Sequence, residues 1–180
     1  MNTRVIMIFP KFGNIHIINN IRKKYDPLSD FVEPHITLVF PFEDELSNEE
    51  LSLYLKEALK DIKPFEIELQ GFRKQVDKYG NYLFLNVVQG IEVIKEIHDI
   101  LYKDKLKKFD LGYEYIPHMT VGKLSSIDLL DKAFKDVQKY NDKFNTEVRK
   151  ISVEMIGEVE ESIILIEQRA GIGFIIKEYR

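Results

Sequence analysis

The chain has 180 residues, 44% of them hydrophobic and none of them cysteine. That suffices for the core of one domain and excludes disulfides, thiolate metal sites and cysteine nucleophiles. A formal net charge of −4 excludes the overall basic field that holds long nucleic acid by counterion release, so any nucleic-acid contact is expected to be local.

No run of about eighteen apolar residues is present to span a bilayer. Met1 to Lys11 is too short and too poorly flanked for a signal peptide, so the expectation is a soluble, cytoplasmic protein without a membrane partner. Val5 to Phe9, closed by Pro10, reads as a buried strand, and Asn14 offers a cap for a helix through Ile15, Ile18 and Ile21. His35 to Phe40 reads as a second strand. Ser47 with Glu50 three residues later predicts a capping box ahead of a helix through Leu51, Leu55, Leu59 and Ile62.

Phe65 to Leu69 alternates apolar and polar residues, and Tyr82 to Val88 is rich in strand formers. Between them Lys78-Tyr79-Gly80-Asn81 predicts a hairpin turn, with Phe72 to Lys78 as a polar loop leading into it. Ile91, Ile94, Ile97 and Leu101 repeat at helical spacing. Lys103, Lys105, Lys107 and Lys108 then collect where a helix C-terminus favours cations, which explains this basic run without invoking RNA. Asp110-Leu111-Gly112 turns the chain into a strand from Ile116 to Leu124. A helix from Asp128 to about Tyr140, strands around Val148 to Ile156 and Ile163 to Glu167, and a tail turn over Ala170 to Phe174 complete the reading. The order of strand, helix and strand recurs in the two halves, which predicts an α+β fold, a single domain over residues 1–180 with two related lobes.

Two segments carry chemistry. Pro34-His35-Ile36-Thr37-Leu38 and Pro117-His118-Met119-Thr120-Val121 share the pattern Pro, His, apolar, Thr, apolar in a chain with four histidines. Side chains alternate between the faces of a strand, so each His and Thr project together while their apolar neighbours enter the core. Proline has no backbone donor and suits the first position of a strand, which places both histidines at strand ends, at the mouth of a cleft. Two facing imidazoles can take a proton from an attacking oxygen and deliver one to a leaving oxygen across a phosphate. Threonine hydroxyls can donate to the nonbridging oxygens, where charge accumulates.

The twin sequences PHITL and PHMTV resemble the 2H phosphoesterase superfamily, and within it the bacterial 2′-5′ RNA ligase-like proteins, or cyclic phosphodiesterases. The resemblance extends over most of the chain and implies a bilobal, pseudo-symmetric fold, with two mainly antiparallel sheets flanked by helices around a central cleft. It implies His35 and His118 as general base and acid in undetermined order, and Thr37 and Thr120 as phosphate ligands. The implied substrate is a 2′,3′-cyclic phosphate or a 2′-5′ linkage at a small ribonucleotide or RNA end, without cofactor or metal. Family members often carry a basic residue shortly after the second motif, where Lys123 stands here, while Phe40 holds the matching place after the first.

Phe42 and Tyr115 flank the motifs and are candidates to stack on a nucleobase, with packing an equal explanation. Arg73 is a candidate phosphate partner, against the simpler reading of a solvated loop residue. His16 and His98 sit on helices beside apolar stripes and are assigned no role. No His-x-His, no HExxH and no acidic cluster accompanies the histidines, which disfavours a metal hydrolase. Two further readings are a noncatalytic nucleotide or RNA-binding module and a 2′-5′ RNA ligase; a monomer with no obligatory protein partner is expected.

Overall fold

The computed structural model describes residues 3–156 and 162–169. In chain order the elements are β1 (Thr3–Ile8), α1 (Ile15–Tyr25), β2 (Ile36–Glu43), α2 (Asn48–Ala58), β3 (Phe65–Asp77), β4 (Gly80–Gln89), α3 (Ile91–Leu101), a 3-10 turn (Lys107–Phe109), β5 (His118–Leu124), α4 (Ile127–Val137), β6 (Phe144–Val148), β7 (Lys150–Ile156) and β8 (Ser162–Arg169). The strands form two four-stranded sheets in the orders β2-β1-β7-β8 and β5-β4-β3-β6, every pair antiparallel. This is the expected α+β architecture. Each motif therefore begins an edge strand, β2 in one sheet and β5 in the other, and these two edges lie against each other. An edge strand also tolerates Pro41 inside β2.

Local chemistry explains most boundaries. The Ser47 hydroxyl accepts from the Glu50 amide (3.1 Å) and the Glu50 carboxylate accepts from the Ser47 amide (2.8 Å), so the capping box forms as predicted. Asn14 precedes α1 but does not cap it; its side-chain amide donates instead to the Lys143 carbonyl at 3.1 Å. The hairpin turns tightly on Lys78 and Tyr79, with Asp77 opposite Gly80. Residues 72–77 extend β3 rather than forming the expected loop, because β4 continues to pair with them as far as Gly80. The apolar run from Val148 to Ile156 is two strands that part at Arg149, since β6 belongs to one sheet and β7 to the other.

One continuous apolar cluster joins both sheets, from Ile6, Ile36 and Leu38 through Leu69, Leu85 and Met119 to Val153. Two buried ion pairs accompany it, Arg22 with Asp26 (2.8 Å) and Arg4 with Asp44. Among the described residues no helix is long and apolar enough to cross a membrane. The tail turn read at Ala170 to Phe174 lies outside the described residues.

Candidate active site

His35 stands immediately before β2 and His118 is the first residue of β5. In both motifs the burial alternates, His and Thr half-buried and the intervening Ile36 or Met119 sealed in the core. The two imidazoles are held in the same way. His35 Nδ1 lies 2.8 Å from the Glu33 carbonyl and His118 Nδ1 lies 2.7 Å from the Ile116 carbonyl, in each case two residues upstream. A carbonyl only accepts, so Nδ1 carries the hydrogen in both rings and Nε2 is left to gain or lose a proton.

The motifs also share an irregularity. Thr37 and Val39 oppose Met7 and Ile6, which leaves Leu38 over; Thr120 and Gly122 oppose Phe84 and Leu83, which leaves Val121 over. Such a bulge places two successive residues toward the core and shifts the alternation that follows. Leu38 and Val39 are buried in the first case, Val121 and Gly122 in the second. Each strand accordingly returns its fifth residue after the histidine to the outer face, Phe40 in β2 and Lys123 in β5. Lys123 thus shares a face with His118 and Thr120, which a regular strand would not allow. Gly122 suits this position, because a Cβ there would lie 3.0 Å from that of Tyr25 on α1.

Around His118 the face is built from three strands. β4 sets Asn86 opposite His118, Phe84 opposite Thr120 and Tyr82 opposite Lys123, and β3 sets Arg73 opposite Phe84. The Phe84 ring stacks on the imidazole at 3.7 Å and 25°, and the Arg73 guanidinium lies 4.8 Å over the Phe84 ring. Lys123 Nζ lies 5.7 Å over Tyr82. Arg73, expected on a loop, is therefore a strand residue beside a motif histidine. Its position follows a β3 irregularity at Gly71, whose φ of 72° is the left-handed backbone that favours glycine.

The β2 bulge leaves backbone groups without strand partners, and three rings supply them. Tyr115 Oη donates to the Thr37 carbonyl (2.6 Å), His98 Nδ1 to the Leu38 carbonyl (2.7 Å), and Tyr102 Oη accepts from the Phe40 amide (3.1 Å). His98 stacks on Tyr115 at 3.8 Å and meets Tyr102 edge-on at 4.9 Å. His98 is thus a structural partner of the first motif, which its place on an apolar helix stripe does not reveal. Tyr115 spends one ring face on His98 and its hydroxyl on Thr37. Phe42 is not available to a base: it is 3% exposed, with its ring 5.3 Å from Phe109 inside the core.

Burial lowers both histidines, and their charged neighbours differ. Burial holds His118 down at about 4, with the Arg73 and His35 charges adding to the effect. Burial also lowers His35, opposed by its bond to the Glu33 carbonyl, with Arg22 lowering and Asp26 raising it. The contact between β2 and β5 sets His35 and His118 on the two sides of one seam. Among the described residues no group of three or more His, Asp or Glu side chains is arranged to hold a metal ion.

The profile of the 2′-5′ RNA ligase superfamily matches residues 10–156. A Bacillus licheniformis protein provisionally named a phosphoesterase is 30% identical over 126 residues, 68% of this chain and 72% of that protein. A Halalkalibacterium halodurans protein with the same provisional name is 30% identical over 131 residues, 69% of this chain and 72% of its own. Escherichia coli LigT, crystallised with 3′-AMP, superposes with a TM-score of 0.62 at 13% identity, over 94% of this chain and 98% of that one. TT0787 of Thermus thermophilus gives 0.61 at 12%, over 94% and 98%. At such identities the structural likeness establishes a common fold.

Proposed function

The chain belongs to the 2′-5′ RNA ligase superfamily of 2H phosphoesterases, and from that premise we propose that it hydrolyses a 2′,3′-cyclic phosphate, or a related 2′-5′ linkage, at a small ribonucleotide or RNA end. The observation that carries the reading is the matched pair of imidazoles, each with Nδ1 committed to a carbonyl and each two residues from a threonine on the same face.

His118 acts as the base, because the charges bearing on it, Arg73 and His35, are both cationic, whereas at His35 the Asp26 carboxylate favours the proton against Arg22. It takes a proton from water as the water oxygen bonds to phosphorus. His35 donates a proton to the ribose oxygen as the phosphorus–oxygen bond to it breaks. The product is a nucleoside monophosphate, and the proton gained by His118 returns the pair to its starting state through solvent. Thr37 and Thr120 donate to the nonbridging oxygens, and the Lys123 and Arg73 cations stabilise the negative charge that develops there. A nucleotide as substrate accords with the 3′-AMP held by the LigT crystal structure.

Incubation of the protein with the four nucleoside 2′,3′-cyclic phosphates in EDTA, with chromatography of the products, tests this. Nucleoside monophosphates are expected. No product from these substrates or from 2′-5′ linked dinucleotides would end the proposal.

A further inference from the structure

A cavity of about 550 Å³ opens beside the first motif and shares residues with its support. Glu33, whose carbonyl holds His35, lines it, as does Phe9, whose ring lies 5.8 Å from the His35 imidazole. The strand register carries the motif face into it: Thr37 opposes Met7, Met7 opposes Ser152, and Ser152 opposes Glu167. Ser152 and Glu167 line the cavity, so its floor continues the sheet face that bears Thr37. From Thr37 to Ser152 is two strand spacings, ~10 Å, a span that one nucleoside covers. Phe31, 46% exposed, and Phe9 supply apolar wall.

Among the described residues four carboxylates line this cavity, and three have cations: Glu33 with Lys11, Glu147 with Arg149, and Glu167 with Lys150. Glu154 has none among them. It is 2% exposed and its Oε2 has no hydrogen-bond partner. A buried acceptor left unpaired is costly, so a partner that supplies an N–H donor is favoured in proportion.

On the phosphoesterase reading given above, we propose that this cavity seats the nucleobase attached to the reacting phosphate, and that Glu154 selects bases bearing an amino group over uracil. Guanine, adenine and cytosine each offer an exocyclic amino group at the sugar-distal edge for the carboxyl to accept from. Uracil offers there only its N3–H, flanked by two carbonyl oxygens that an acceptor repels. Burial, with Glu33 adding its charge, lifts the Glu154 carboxyl to about 7, consistent with a group lacking a compensating partner until a ligand brings one.

The test is titration calorimetry at pH 8.5, where the Glu154 carboxyl is ionised and only accepts, with 3′-AMP, 3′-CMP, 3′-GMP and 3′-UMP, on the natural chain and on Glu154→Gln. The amino-bearing nucleotides are expected to bind at least tenfold tighter than 3′-UMP. Gln both donates and accepts, so Glu154→Gln should bring the ratio to within about threefold, chiefly by tightening 3′-UMP. Equal affinities in the natural chain, a ratio unchanged by Glu154→Gln, or no binding of any of the four overturns the proposal. Turnover of cyclic phosphates with equal affinities removes the base site alone; selective binding without turnover removes the proposed chemistry alone.

Discussion

His98 and Tyr115 stack face to face, their ring centroids 3.8 Å apart and their planes 2° from parallel, and each donates a hydrogen bond to one of two consecutive carbonyls of β2. The pair closes the bulge that follows Thr37, so the backbone bearing the first motif is fixed from outside its own sheet. Tyr115→Phe keeps the stack and removes the bond to the Thr37 carbonyl. We expect a stability loss of about 1 kcal/mol and a lower kcat with KM little changed, measured by denaturant melts and steady-state kinetics. An unchanged kcat would show that Thr37 does not depend on this support.

The assignment of base and acid is separable by the leaving group. A p-nitrophenolate leaves without a proton, whereas a ribose alkoxide needs one. His35→Ala should cost ~10²–10⁴-fold on a cyclic nucleotide but far less on a nucleoside p-nitrophenyl phosphate. His118→Ala should cost a similar factor on both. Kinetics on the two substrates decide it, and the opposite pattern exchanges the two roles.

The pH dependence of activity follows from the same groups. Both histidines lie below the ordinary value of 6.5 in the unliganded protein. One must be neutral and the other protonated, so the bell in kcat/KM, which reports the free enzyme, should peak below pH 6.5. A kcat/KM profile still rising at pH 8 contradicts this.

Stability carries two opposed dependences. His118 falls from 6.5 to about 4 on folding, so the unfolded chain binds more protons in that window, and stability rises with pH until it is fully present above 6.5. Glu154 rises from 4.5 to about 7, so its contribution is present below 4.5 and lost as pH climbs through 7. Between pH 4.5 and 6.5 Glu154 opposes His118 and also His35, which is lowered in the same direction. Glu154→Gln removes the second, so its unfolding free energy in denaturant should climb more steeply with pH there than that of the natural chain. Equal slopes would show that Glu154 is not perturbed.

Phe84 and Arg73 offer a further check. Phe84→Leu keeps an apolar side chain but removes the ring that lies between guanidinium and imidazole. Solvent then reaches His118 more easily, and its titration, followed by the imidazole proton resonances, should move up toward 6.5. No movement would mean that the stack does not shape the histidine.

What the sequence made legible is what local rules determine. Twofold alternation placed His35 with Thr37 and His118 with Thr120, and the Ser47–Glu50 capping box marked the start of α2. Bulges escape such reading, because they depend on what the partner strand counts. Lys123 faces the motif only because Val121 is extra, and residues 72–77 are strand only because β4 pairs with them. His98 was likewise invisible: helical spacing says that it is inward, not that its Nδ1 meets a carbonyl sixty residues away. Phe42 looked like a base platform by adjacency, yet a second β2 irregularity, between the Ile6–Val39 and Arg4–Phe42 pairs, returns it to the core beside Phe109.

The central claim is that both imidazoles act on one phosphate, and a double-mutant cycle tests it most directly. Groups that act as a unit are not additive: once one is gone, removing the other costs little more. We therefore expect kcat/KM on a 2′,3′-cyclic nucleotide to fall by ~10²–10⁴ in His35→Ala and in His118→Ala, and by nearly the same factor in the double variant. Losses that multiply, or a double variant that retains the natural rate, would contradict the account.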